Sequence, residues 1–508
     1  MKSFRMAVSM VSVAAIMTSL AACSTEKKSE ATPAVNSPSV PAKIKMYVPD
    51  FNQPVSTSNA MEIPFVKYLA EKTNTNLNIE FMSASNAIEN YRLKVASGDY
   101  GDVHLGYGLF DDLIVAGRAM DLKPYIDKYG PNIKKNVPQE TWDAITDKGK
   151  ILGIPSPSFA KTERILYIRK DWLDKLGLQV PKTSDELLHV LREFRDKDPN
   201  GNGKKDEIPF SMRDKWSWGE NIFGMFGINP DNPVLENGEI INGNMSVNMK
   251  KAIGFFKTLY DEKLLDADFL TNQRPQWEQK IKADQVGVWN HAVDLLPKWQ
   301  DDLNKALPDK KPQVITIATP KANGVTGPVG RIINPISKAY IVDKDAKNPE
   351  AIVKLFDWLY SEEGQRFAEM GIEGDTYKKE GDKYVYDAKK DTDSKVNQLR
   401  ENLFKMHSFN ESITAVKQSP EIAAKLKTTV DQANSEGVSY PLLGKPVNPQ
   451  LNGVKTNLDN AWREMAAKIV VGNSPLDATF DEYVKRYRTE GGAILKEDTD
   501  WYNANKKK

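Results

Sequence analysis

The chain has 508 residues, and its 70 lysines and arginines nearly balance 69 aspartates and glutamates, for a formal net charge of +1 at pH 7. That balance leaves no basic field for nucleic acid, and the absence of a second long apolar run past the N-terminus excludes a multi-span transporter. The single cysteine excludes an internal disulfide and a cysteine-based metal site.

At the N-terminus, Lys2 and Arg5 precede an uncharged run of 17 residues, MAVSMVSVAAIMTSLAA, that ends at Cys23. A basic region, an apolar stretch and small residues before a break make up an export signal. Ser9, Ser12, Thr18 and Ser19 leave the run short and soft for a span of about 20 strongly apolar residues. Leu20-Ala21-Ala22-Cys23 resembles the lipobox of bacterial lipoproteins. The resemblance implies cleavage before Cys23 and acylation of its sulfur, making residues 1–22 a lipoprotein signal peptide. Residues 23–42 are rich in Ser, Pro, Ala and Lys, with almost nothing to bury, and read as a disordered tether. More than one acyl chain suffices for stable anchoring. The body is therefore expected on the outer face of the cell membrane, or facing the periplasm in a Gram-negative cell.

From Lys43 the chain is too long for one ordinary core and suits two or more domains. KIKMYVP (43–49) alternates as a strand, SNAMEIPFVKYLAEKTN reads as a helix, LNIEFMSA as a strand, NAIENYRLKVASG as a helix and DVHLGYG as a strand. Strand and helix alternating at this spacing predict a parallel α/β sheet. Its ligand-facing rim is the carboxyl ends of the strands, where Gly106-Tyr107-Gly108 falls.

RILYIRKDWLDKLGL starts a second unit, and TSDELLHVLREF follows as a helix with Thr183 and Glu186 spaced as a capping box. QVGVWN (285–290) and AYIVD (339–343) read as short strands, and the closing stretch is mainly amphipathic helix. The expectation is two α/β lobes, with the chain passing between them more than once. The first lobe is placed at 43–160 plus about 285–335, and the second at 161–284 plus about 336–508.

Between the lobe-two helix and the next strand lies DKDPNGNGKKDEIPF (196–210). It fits the calcium-loop pattern D-x-[DN]-x-[DN]-G-x5-E with Asp196, Asp198, Asn200 and Glu207 as ligands. Calcium takes six to eight oxygens, and alternating residues on a glycine-rich turn aim at one centre. The competing reading is a solvated Asx turn without metal. An EF-hand needs a second helix after the loop, and IPFSMRD does not offer one, so a structural ion is expected rather than a sensor.

A sugar site combines aromatic platforms with hydrogen-bonding side chains. DKWSWGEN supplies Trp216 and Trp218, VWNH supplies Trp289 and Asn290, the glycine-flanked turn supplies Tyr107, and Arg169 lies near a crossing. Trp289 is expected to end a strand that returns the chain to the first lobe. Each aromatic could equally be ordinary core, the reading adopted for Trp142, Trp172, Trp358 and Trp462.

ASGDYGDVHLGYG, LYIRKDWLDKLGLQVPKTSDELLHVLREF and FDWLYSEEGQRFAEMGIEG resemble the extracellular solute-binding lipoproteins of ABC importers (family 1), in particular their large oligosaccharide-binding, LipO-like branch. The resemblance runs over the whole chain from Lys43. It implies a type II periplasmic-binding-protein-like fold: two α/β lobes joined by hinge segments, a helical C-terminal region, and an oligosaccharide trapped as the lobes close. Similarity to alginate-type binding proteins implies a structural Ca2+ in a later register, held by Asp198, Asn200, Asn202, Lys204 through its carbonyl, Asp206 and Glu207. The partners so implied are an oligosaccharide, ABC permease subunits and the membrane through lipidated Cys23, with the protein itself a monomer and not an enzyme. Two alternatives share the features above: a secreted glycosidase or lyase, and a sensor presenting its ligand to a membrane kinase. Against the enzyme, no H-E-x-x-H, G-x-S-x-G or P-loop is present.

Overall fold

A computed structural model describes residues 40–505 apart from positions 52, 54, 56–58, 84–85, 107–111, 231, 332–334, 438–440, 444 and 446–447. The signal peptide, Cys23 and all but the last residues of the tether lie outside the described residues, as does Tyr107. Among the described residues no helix is long and apolar enough to cross a membrane.

Two large sheets organise the described residues from Pro41 onward. The first contains β1 (Ala42–Pro49), β2 (Thr75–Met82), β3 (Val103–Gly106), β4 (Ile154–Pro157) and β9 (Ile336–Val342), in the order β2-β1-β3-β9-β4. The second contains β5 (Arg164–Arg169), β6 (Ile208–Ser211), β7 (Val286–Ala292) and β8 (Val314–Ile317), in the order β8-β5-β7-β6. As the alternation at the start of the chain predicts, β1 runs parallel to both β2 and β3. β9 is antiparallel to β3 and β4.

Each sheet is covered on both faces, which is why its strands read as nearly continuous apolar runs. In β5, Leu166 and Ile168 enter one core with Leu187, Leu191 and Phe194, whereas Ile165 and Tyr167 face Trp289, Trp299 and Val314. The helix Ser184–Asp196 carries the expected capping box: Glu186 N–H donates to Thr183 Oγ1 (3.2 Å) and Thr183 N–H to the Glu186 carboxylate (3.3 Å). In the first sheet, Ile44, Met46 and Val48 pack with Ile352, Phe356 and Leu359 of the helix Pro349–Tyr360.

Two strands sit opposite to expectation. The sequence order predicts the segment beginning at 285 in the first lobe, but β7 pairs with β5 and β6 in the second sheet. It predicts the segment beginning at 336 in the second, but β9 pairs with β3 and β4 in the first. Both strands are buried almost throughout, so no polar face marks which sheet each joins. The C-terminal region is helical as expected and divides between the lobes. Helices up to Phe404 pack on the first sheet, and Pro420–Glu436, Asn452–Val470 and Leu476–Glu490 on the second. The chain thus crosses between sheets at 158–163, 318–335 and 407–419.

Candidate functional site

The strand registers fix where a ligand would enter. In the first sheet, Gly106 at the carboxyl end of β3 pairs with Ala339 in the middle of β9, and Pro157, the last residue of β4, pairs with Ile336 at the start of β9. In the second, Arg164 at the start of β5 pairs with Ala292 at the end of β7, and Ile317, the last residue of β8, pairs with Leu166. The carboxyl ends of β3, β4, β7 and β8 therefore meet the crossings at 158–163 and 318–335. That rim is the usual ligand position of an open α/β sheet.

The loop Arg213–Gly219, which follows β6, reaches this rim. Lys215, Trp216 and Trp218 hold φ of 56°, 64° and 61°, a left-handed conformation in which a bulky side chain is an outlier. Such strain persists only where surrounding structure imposes it, and it collects at binding sites. Arg213 N–H donates to Ser217 C=O (3.0 Å) and Asp214 N–H to Asn272 C=O (3.1 Å), which hold the loop.

Around Trp218 stand the guanidiniums of Arg213, Arg164 and Arg274, at 4.4, 5.9 and 6.0 Å from its ring. Glu220 lies 3.4 Å from Arg331 and 3.9 Å from Arg164, while Glu163 pairs with Arg164 at 2.8 Å. His291 packs edge-on against the indole, ring centroids 4.1 Å apart. Burial, then the charges of Arg164, Arg274, Lys298 and Arg213, push the His291 imidazole down to about 3. Arg164, Arg213, Arg274 and Arg331 were not anticipated. Arginines scattered over the sequence carry no local pattern, although Arg213 stands directly before the aromatic string.

The sequence-derived candidates do not form one site. Trp289 is fully buried in the middle of β7, stacked on its cross-strand partner Tyr167 (5.7 Å, 7°), so it is core rather than a platform. Trp216 is enclosed by Phe223, Phe256, Phe269 and Trp462. Arg169 is buried between Asp171 and Asp284. Trp218 reaches the rim, but at 8% exposed it offers little surface for a sugar ring to stack on, and three guanidiniums flank its ring instead.

Asn290 belongs to a buried relay. Its amide donates to Asn221 Oδ1, Asn221 Nδ2 donates to Thr319 Oγ1 (2.6 Å), and Thr319 donates through Oγ1 and N–H to the Glu436 carboxylate (2.6 and 2.8 Å). The relay fastens the crossing that begins at 318 to the second lobe. At the same junction Gly330 N–H donates to Glu436 C=O (2.7 Å), and a Cβ at Gly330 or Gly437 would collide with Glu436 C=O or Lys161.

The loop after residue 196 is compact. Asp198 accepts from Asn202 N–H and Gly203 N–H, Asn200 and Asn202 amides reach Asp206 Oδ1 (3.3 and 2.9 Å), and Gly201 and Gly203 take φ of +71° and +74°. Burial, followed by repulsion from Asp198 and Asp206, raises the Glu207 carboxyl above its ordinary range, and Glu207 Oε1 is buried with no hydrogen-bond partner. Among the described residues no three His, Cys, Asp or Glu side chains form a metal-holding cluster by themselves; asparagine and backbone oxygens would have to complete any ligand set. Asp196 is engaged elsewhere, by both ends of the Arg195 guanidinium. Asp284 links this loop to Arg169: its carbonyl accepts from Asn200 Nδ2 (3.1 Å), and its carboxylate binds Arg169 and Lys310.

Comparison with known proteins agrees with this architecture. The family model for bacterial extracellular solute-binding proteins matches residues 53–366. Among curated relatives, a fructooligosaccharide ABC transporter substrate-binding protein, FusA of Streptococcus pneumoniae serotype 4, is 31% identical over 42% of this chain and 45% of its own length. Lipoprotein LipO of Bacillus subtilis is 23% identical over 86% of this chain and 88% of its own. Among solved structures, an HMO-binding, ABC-transporter-associated solute-binding protein from Bifidobacterium longum infantis has a TM-score of 0.71 at 23% identity, covering 92% of this chain and 100% of that one. The alginate-binding protein AlgQ2, solved without calcium ion, has a TM-score of 0.64 at 22% identity over 92% of this chain and 98% of its own. With its two-sheet topology and a family match over more than half its length, the chain belongs to the bacterial extracellular solute-binding proteins.

Proposed function

We propose that this protein is a lipid-anchored receptor that captures an oligosaccharide at the meeting of its two sheets and delivers it to an ABC permease. The observation that carries this reading is the rim itself: strand carboxyl ends from both lobes converge on the crossings, with arginines, glutamates and a strained tryptophan loop beside them. The names of FusA and of the HMO-binding structure give the same ligand class. Lobe closure about the crossings would bury the sugar among these groups. The lipobox, together with a lipoprotein among the relatives, supports a membrane-anchored protein on the outer face.

A glycosidase needs two acidic groups free to face one bond, and the adjacent carboxylates along the chain give little support to that alternative. Asp301 and Asp302 are tied to Lys305 and Lys298 on a helix, and Glu363 to Lys72.

The loop at 198–207 fits a structural calcium ion. Asp198, Asn200, Asn202, Asp206 and Glu207 with the Lys204 carbonyl would hold it, and the ion would neutralise carboxylates that now repel one another. The orphaned Glu207 Oε1 supports an ion in either register, and the diversion of Asp196 to Arg195 supports the register that begins at Asp198.

The test is thermal unfolding of residues 24–508 against a panel of oligosaccharides, with sugar integrity assayed in the same tubes. A ligand at 100 times its Kd adds about 2.7 kcal/mol and raises the midpoint. A shift with intact sugar is the expected result; cleavage of the sugar overturns the receptor reading.

A further inference from the structure

We infer that the sugar is acidic: the guanidiniums of Arg164, Arg213 and Arg274 around Trp218 form a subsite for the carboxylate of a uronate-containing oligosaccharide. This rests on the sugar-binding reading above and narrows it.

Three guanidiniums within 6.0 Å of one indole crowd like charges into a small volume. Cation–π attraction offsets part of the repulsion, and neighbouring carboxylates offset more, but unevenly. Arg164–Glu163 and Arg274–Glu278 are short pairs at 2.8 Å. Arg213–Asp214, Arg331–Glu163 and Arg164–Glu220 stand at 3.6, 3.6 and 3.9 Å, beyond good hydrogen-bond length. Donors are left over as a result. Nε of Arg164 and Nε of Arg213 are both buried without a hydrogen-bond partner.

A buried donor without an acceptor is costly. A sugar hydroxyl could accept from either Nε, but as a neutral acceptor it makes a bond about half as strong as an ionised one. A carboxylate would satisfy both, because its two oxygens match the planar fork of a guanidinium. The same arginines also bear on the neighbouring His291. Beyond burial, the charges that depress its imidazole are those of Arg164, Arg274, Lys298 and Arg213.

Matched three- and four-residue oligomers distinguish the possibilities. Titration calorimetry on residues 24–508 would compare oligogalacturonate, oligoglucuronate and oligomannuronate with neutral galactose, glucose and mannose oligomers of the same linkages. Sodium sulfate serves as a control for anion binding alone. The expected result is binding of at least one uronate series that weakens with added salt, with its neutral counterpart at least tenfold weaker. Arg274→Gln is exposed enough to leave folding intact, and it is expected to weaken uronate binding roughly tenfold, as loss of a charge-assisted hydrogen bond does. Arg213→Gln is checked first by its unfolding midpoint without ligand and is expected to do the same. Equal or preferential binding of neutral oligomers overturns the acidic inference and leaves the receptor standing. Binding of sulfate as tight as the uronate also overturns it, since the site would then read charge without sugar. If no oligomer of either kind binds, both the acidic inference and the oligosaccharide reading fail.

Discussion

The tryptophans separate structure from recognition most clearly. Trp289 and Trp218 look alike in the sequence, each followed by polar residues. In the fold, Trp289 is sealed in β7 against Tyr167 and Trp299, whereas Trp218 holds the arginine rim. Trp289→Ala should therefore lower unfolding free energy by about 3–5 kcal/mol, as large-to-small core substitutions do, with sugar affinity of the folded fraction nearly unchanged. Trp218→Ala should leave stability closer to wild type and weaken sugar binding by about 1–2 kcal/mol as the guanidiniums lose their seat. Urea denaturation and calorimetry on the two variants check this, and the opposite pairing of effects would return Trp289 to the site. His291 makes a pH-dependent prediction. Its folded-state value of about 3 lies below the unfolded one near 6.5, so the unfolded chain binds the extra proton between those limits. Stability attributable to a neutral His291 is complete above pH 6.5 and is lost as pH falls toward 3. From pH 7 to pH 5, wild type should lose about 2 kcal/mol more than His291→Gln. Parallel losses in the two proteins would mean that His291 is not held neutral.

At the scale of elements, the amphipathic pieces were legible and the buried ones were not. The helix Ser184–Asp196 could be read because its cap and its apolar face, Leu187, Leu191 and Phe194, are local features. β1 through β3 could be read because strands alternate there with helices, and β2 exposes Asn76 and Asn78 between buried Leu77 and Ile79. β7 and β9 read as strands, but their lobes do not follow from the sequence, because a strand buried on both faces carries no record of its partner. The loop at 198–207 was visible through its oxygen spacing, and its geometry explains why removing an ion should matter. Two carboxylates, Asp198 and Asp206, already repel Glu207. Adding calcium should raise the unfolding midpoint, by an amount that corresponds to about 2.7 kcal/mol when the ion is at 100 times its Kd. The double variant Asp206→Ala, Glu207→Gln should lose that response while retaining the relative preference among sugars. A change in sugar preference would mean that the loop shapes the ligand site rather than bracing the second lobe.

At the scale of the molecule, the two-lobe plan was readable from length, order and family resemblance, whereas the junction between lobes was not. It depends on residues far apart in sequence: Asn221, Asn290, Thr319 and Glu436 meet only in the fold. Thr319 is the central member, accepting from Asn221 and donating to Glu436 through both its hydroxyl and its backbone N–H. Burial raises the Glu436 carboxyl above its ordinary range, even though these Thr319 donors favour its charged form. Thr319→Val keeps the volume and removes the hydroxyl, so the Asn221 amide and one Glu436 oxygen each lose a partner. Leaving such groups unsatisfied should cost about 1–3 kcal/mol in unfolding free energy. The position of Thr319 at the start of a crossing adds a second consequence. With that crossing unfastened, closure must also order a segment that wild type already holds, so sugar affinity should fall along with stability. Scattering measurements should then give a broader size distribution for the sugar-free variant than for wild type, and similar values for the two once sugar is saturating. Reduced stability with unchanged affinity would make the relay a stitch in the second lobe alone, with lobe closure set by the other two crossings.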